Sequence, residues 1–152
     1  MDNFDVALAG VKIATKILNI PEPEIFITSE INLSNKEITG YYSFENNEIV
    51  FNEDWINRSS WIEVMITSIH ETRHAYQGYC IRTKSRESLE TIVKWEFETL
   101  NYIMPSGKNN EIDDEDYLKQ EIEIDAITFT HHKIYEFFGV KTFIPKSIKD
   151  SI

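Results

Sequence analysis

The chain has 152 residues, 41% of them hydrophobic, which is enough to bury the core of one domain. Its 26 acidic and 15 basic residues give a net charge of -11, so nucleic acid and anionic membrane surfaces are not expected partners. A single cysteine cannot form an internal disulfide, no signal-peptide pattern opens the chain, and no apolar run reaches membrane-spanning length. We therefore predict one cytoplasmic domain over residues 1–152.

The first predicted elements are a helix and a small sheet. Apolar residues at three- to four-residue steps follow Asp2 and Asn3, either of which can be the N-cap, and they end before Ile20. Three β-rich runs come next, and the polar residues 45–47 between the last two predict a hairpin turn. These runs are Glu24 to Thr28, Thr39 to Phe44 and Glu48 to Asn52. We predict that they form a small antiparallel sheet.

Three further helices are predicted after the sheet. Ser60 and Glu63 form a capping box, which indicates the start of a long helix that ends near Tyr79. A third helix is predicted from Ser85 to Met104, and a fourth from the acidic stretch Asp113 to Asp116 as far as Phe138, with Gly139 as its C-cap. The combination of a small sheet and several helices predicts an α+β fold.

A five-residue motif, His70-Glu71-Thr72-Arg73-His74, lies in the second half of the predicted second helix. Residues four apart project from the same side of a helix, so His70 and His74 can offer two imidazoles to one metal ion. Two histidines at this spacing around a glutamate are a known signature of zinc metalloproteases. The motif therefore predicts one zinc ion per chain.

Glu71 points roughly 100° around the helix from His70, so it would not bind the metal beside the histidines but can reach a water on it. Zinc lowers the pKa of its bound water towards about 7 and polarises a substrate carbonyl. A carboxylate at this place can take the water proton and pass it to the leaving amine. We therefore expect hydrolysis of a peptide or protein substrate, with Glu71 as general base.

A catalytic zinc site usually has three protein ligands and one open position, so another ligand must come from elsewhere in the chain. In the predicted fourth helix, Glu121 and Asp125 flank an apolar stripe and are expected to face the interior, whereas Glu123 points away from Glu121. A buried carboxylate is costly unless it is paired, so Glu121 is the predicted third ligand. Asp125 is predicted to accept the free ring N–H of a zinc-bound histidine. The stripe consists of Leu118, Ile122, Ala126 and Phe129.

Cys80 is a weaker alternative for the third ligand. The metzincin pattern would place a glycine at position 77 and a ligand at position 80, where this chain has Gln77 and Cys80. Because the glycine that makes the turn is missing, Cys80 is expected to be a small buried side chain near the helix end.

The two histidines and Glu71, together with the later Glu121 and Asp125, resemble the gluzincin clan of zinc metallopeptidases, especially its minimal single-domain members. The resemblance implies a zincin-like fold, in which the small sheet and its hairpin pack on an active-site helix. It also implies that an extended substrate docks beside an edge strand of the sheet, and the strand Glu48 to Asn52 is the predicted neighbour of the cleft.

Enzymes of this clan often use a Tyr, His or Arg to stabilise the oxyanion formed during hydrolysis. The chain offers Tyr76, Tyr79, His131 and His132, and we predict His132 because it falls near the face of the predicted third ligand. A second function stays open, namely a zinc-containing regulatory or protein-binding module with little or no proteolytic activity.

Overall fold

The computed structural model describes residues 1–105 and 114–152, which form an α+β structure. Two compact units divide the chain, residues 1–79 and residues 80–152. Within the described part, no helix is both long and apolar enough to cross a membrane. The helices are α1 (Asn3–Leu18), α2 (Glu53–Arg58), α3 (Trp61–Thr83), α4 (Leu89–Leu100), α5 (Glu115–Leu118) and α6 (Glu121–Phe138), and the strands are β1 (Glu24–Thr28), β2 (Gly40–Ser43) and β3 (Glu48–Asn52).

The sheet of the first unit has the strand order β1-β3-β2 and is mixed. β2 and β3 form the predicted antiparallel hairpin, with Tyr42 opposite Ile49. β1 instead pairs in parallel with β3, with Phe26 opposite Val50, so the prediction of a purely antiparallel sheet is wrong. The chain passes through β2 before it reaches β3, and this long connection permits the parallel pairing.

β3 is the central strand, and this corrects its predicted place at the edge of the sheet. Ile49, Val50 and Phe51 are all buried, and such a continuous apolar run is typical of a strand covered on both faces. Both sides of β3 are engaged in pairing with other strands, so a substrate strand cannot add to it.

Within the first unit, α3 is capped at its N-terminus and packs closely against α1. Its predicted capping box is confirmed, since the Ser60 backbone N–H donates to Glu63 Oε2 at 2.9 Å and the Glu63 N–H donates to Ser60 Oγ at 3.4 Å. A Cβ added at Gly10 of α1 would lie 2.6 Å from Ser68 Cβ of α3. The close approach of these two helices therefore requires a glycine at position 10.

The fourth predicted helix is divided in the structure. α5 ends at Leu118, and α6 begins at Glu121 because Gln120 takes an extended backbone conformation with ψ of 134°. The predicted C-cap is confirmed, since Gly139 has a left-handed φ of 67°. Asp113, where the predicted start begins, lies outside the described residues.

The start of α6 is capped from another helix of the second unit. The backbone N–H groups of Glu121 and Ile122 donate to the two carboxylate oxygens of Glu98 in α4, each at 2.9 Å. Gln120, at the N-cap position, makes no capping bond with its own side chain. An anion at this place also interacts favourably with the helix dipole, so Glu98 fixes the first turn of α6.

Candidate metal centre

The second half of α3 is buried on most sides although it carries several polar side chains. Glu71, His74 and Gln77 are 8%, 5% and 0% exposed, and His70 is half-buried. Burying polar groups costs free energy unless they are partnered. These three side chains lie within two helical turns of one another, and this stretch of α3 is the candidate site.

The two histidines of the motif lie where the spacing predicts. Their ring centroids are 4.9 Å apart, and the rings stand nearly perpendicular, at 82°. Phe44, which follows β2, packs edge-on against His74 with ring centroids 5.9 Å apart. His70 and His74 can therefore approach one metal ion from successive turns of α3.

Gln77 is a site residue that sequence reasoning missed. Its side-chain Oε1 lies 2.7 Å from His74 Nδ1, and an amide oxygen only accepts, so the ring nitrogen donates. In the tautomer protonated on Nδ1, the other ring nitrogen, Nε2, is the one that can bind a metal. The available signal was the position of Gln77 three residues after His74, on the same side of the helix.

Asp125 was predicted to accept a hydrogen bond from the ring of a zinc-bound histidine, and Gln77 is the residue that accepts one from His74. The structure places Asp125 in a half-buried position on α6. Its predicted hydrogen bond to a zinc-bound histidine stays a prediction. The acceptor at His74 Nδ1 comes from α3 itself.

The predicted inward direction of Glu121 is wrong. Glu121 is exposed, whereas Glu123 is fully buried at 0% exposure. The two carboxylates thus have the opposite orientations from those expected. Glu123, rather than Glu121, is therefore the candidate ligand on α6.

Glu123 is buried and Glu121 is exposed because of the direction in which the buried side of α6 points. At about 100° per residue, the buried positions at four-residue steps span an arc of about 120°, and Glu123 points about 40° from its centre. Glu121 points about 160° from that centre. The prediction had extended the stripe back to Leu118, which belongs to α5 and so gives no direction on α6. The four-step positions are Ile122, Ala126, Thr130 and Ile134.

A candidate metal-binding group is formed by His70, His74 and Glu123, whose ligand atoms all lie within 4.8 Å of one another. Two imidazoles and a carboxylate are a known ligand set for catalytic zinc, which binds nitrogen and oxygen at about 2.0–2.2 Å. The carboxylate is already partnered, since both of its oxygens accept hydrogen bonds from tyrosine hydroxyls. The donor chemistry of the group therefore fits zinc.

The remaining predicted site residues lie elsewhere or play other parts. His132 is exposed on α6, and its predicted catalytic role stays a prediction. The hydroxyl of Thr142 lies 2.8 Å from His131 Nδ1, and the guanidinium of Arg73 stands 4.4 Å above the ring of Tyr76. Cys80 is fully buried near the end of α3, as expected.

Comparisons with known proteins add no relative, because no family model, no curated protein and no solved structure matches the chain.

Proposed function

We propose that this protein is a zinc-dependent metallopeptidase in which His70, His74 and Glu123 hold one zinc ion and Glu71 acts as general base. The observation that carries the proposal is the grouping of two imidazoles and a buried carboxylate within 4.8 Å. Glu71, in the same stretch of α3, supplies a further carboxylate that the three ligands do not use. His70 is the most exposed of the three ligands, so solvent and substrate approach from its side.

Three protein ligands leave one position open for water or substrate, as catalytic zinc sites require. Zinc bound here would lower the pKa of a water and polarise the scissile carbonyl. Glu71 would accept the proton of the attacking water and deliver it to the leaving amine. Gln77 would hold the His74 ring in the tautomer that presents Nε2.

The edge strand β2 offers a place for an extended peptide. A Cβ added at Gly40 would lie 3.3 Å from Thr67 Cγ2, so β2 runs close to α3. The contact between Phe44 and His74 brings the end of β2 to the histidines. A peptide that added to β2 as a further strand would therefore run along the histidine-bearing side of α3. This replaces β3 in the predicted docking mode.

A zincin-like arrangement of helix and sheet is part of the proposal. It is supported by the position of β2 beside α3. Membership of the gluzincin clan stays a prediction. The spacing between Glu121 and Asp125 that carried the resemblance does not hold for Glu123, which has Ile127 four residues later.

The test separates zinc binding from catalysis. Zinc content of the purified protein is expected to be about one per chain, and a peptide mixture followed by mass spectrometry should show cleavage that chelator abolishes. Glu71→Gln should keep the zinc and lose about 100-fold or more of the cleavage rate, because the base is gone. Glu90→Gln, a change of an exposed carboxylate on α4, is the matched control and should cleave at the wild-type rate.

Two results would contradict the proposal. Wild-type cleavage by the Glu71→Gln protein would remove Glu71 from the mechanism. Stoichiometric zinc with no cleavage of any peptide would instead favour the regulatory zinc module.

A further inference from the structure

The carboxylate of Glu123 is held by two tyrosines of the second unit. The Tyr102 hydroxyl donates to Oε2 and the Tyr117 hydroxyl donates to Oε1, both at 2.7 Å. Tyr102 follows α4, and Tyr117 lies in α5. Each oxygen of the fully buried carboxylate thus has a short hydrogen bond from a different part of the chain.

The segments that carry the two tyrosines are themselves tied to the start of α6. The Gln120 side chain accepts from the Ile103 backbone N–H at 3.0 Å and donates to the Ile103 carbonyl at 3.1 Å. The same amide nitrogen donates to the Tyr117 carbonyl at 3.0 Å. The rings of Tyr102 and Tyr117 also contact edge to face, with centroids 6.1 Å apart. One side chain therefore fixes both phenol groups relative to Glu123.

Two donors suit a carboxylate that must also bind a cation. A buried carboxylate without partners would be strongly destabilising, and the two hydroxyls offset this cost. Each carboxylate oxygen has about two acceptor positions, so the bond from one tyrosine does not use the whole acceptor capacity of either oxygen. One oxygen of Glu123 belongs to the group of three ligand atoms that lie within 4.8 Å of one another.

We propose that Tyr102 and Tyr117 are positioning residues for the metal, which orient the Glu123 carboxylate so that one oxygen is ready to bind zinc. This inference rests on the proposed zinc site. The tyrosines act on the metal through their hydrogen bonds to Glu123. Hydrogen-bond partners of metal ligands typically change metal affinity about 10- to 100-fold when they are removed.

The experiment removes one hydroxyl at a time from the full-length chain. Tyr102→Phe and Tyr117→Phe should each weaken zinc binding about 10- to 100-fold, measured by competition with a chromophoric chelator. The visible absorption of the cobalt-substituted protein should change as well, because the carboxylate ligand is reoriented. Tyr135→Phe, a change at a residue 53% exposed on α6, is the matched control and should leave both readouts unchanged.

A double-mutant cycle distinguishes positioning from packing. In a Glu123→Gln background, the effect of either Tyr→Phe change on the residual zinc affinity should disappear, because the tyrosines act through the carboxylate. Circular dichroism and melting in chelator identify a variant that fails to fold, and the other single variant then decides. A loss of affinity that persists at full size in the Glu123→Gln background would overturn the inference.

The outcomes for the two proposals can be told apart. If wild type binds zinc and both Tyr→Phe variants bind it equally tightly, the positioning role is overturned while the zinc site stands. If the variants weaken zinc binding but wild type cleaves no peptide, the positioning role stands and the peptidase proposal fails. If wild type binds no zinc, both are overturned.

Discussion

α3 and α6 both carry candidate metal ligands, but the two helices specify them in different ways. In α3, His70 and His74 are four residues apart, so any α-helix through them places the two imidazoles on one side. In α6, the acidic residues alternate with apolar ones, and which carboxylate is buried depends on how the helix packs. Spacing along a helix therefore settles relative directions, whereas contacts decide which direction is inward.

The N-terminus of α3 is capped by residues next to it in the sequence, whereas the N-terminus of α6 is capped by a distant residue. α3 is capped by Ser60 and Glu63, which lie within four residues of each other in the chain. α6 is capped by Glu98, more than twenty residues away in sequence. A local start can be recognised in the sequence, but a cap supplied by another helix cannot.

The largest expected effect concerns the two carboxylates of α6. Glu123→Gln should weaken zinc binding by more than the roughly 100-fold that loss of an outer partner costs, because it alters a ligand. Glu121→Gln is the matched control and should bind zinc as wild type does, since Glu121 is exposed. Calorimetric titration with zinc measures both. If Glu121→Gln weakened zinc binding and Glu123→Gln did not, Glu121 would be the ligand, as the sequence had predicted.

A smaller effect is expected on α3. Gln77→Leu removes the acceptor 2.7 Å from His74 Nδ1, so the ring loses its fixed tautomer and zinc affinity should fall about 10-fold. Gln77→Glu keeps an acceptor oxygen and should recover most of the affinity. Chelator competition gives both values. Equal affinities for the Leu variant and wild type would mean that backbone spacing alone positions His74.

The smallest effect concerns the local cap of α3. Hydrogen bonds from the Ser60 backbone N–H and then from its hydroxyl lower the pKa of Glu63 below its ordinary value of 4.5. The charged form is thus favoured by folding, so its stabilisation is present above pH 4.5 and is lost as the pH falls through the lower folded-state pKa. Glu63 is exposed, so Glu63→Gln should cost about 0.5 kcal/mol or less at neutral pH.

Thermal melting of wild type and Glu63→Gln at a series of pH values measures this difference. The melting temperatures of the two proteins should converge at low pH. A difference that grows as the pH falls would contradict the sign of the linkage.

Much of the fold was predictable wherever one residue and its near neighbours decide the conformation. Asp2 caps α1, the polar residues 45–47 lie in the turn between β2 and β3, and Gly139 ends α6. α2 was not predicted, because its six residues have no clear periodicity and its cap comes from Asn52, at the end of a strand. The parallel pairing of β1 with β3 was also missed, since pairing between distant strands has no local pattern.

For the candidate site, the sequence by itself determined the pair of imidazoles and the adjacent Glu71, because helical geometry alone relates residues one and four positions apart. Only the tertiary structure decided the rest. The extended backbone at Gln120 separates α6 from α5, so the buried side of α6 does not continue from Leu118. Glu123 is therefore the buried carboxylate and Glu121 the exposed one. The two tyrosines that hold Glu123 come from separate segments, and no spacing within one helix could have indicated them.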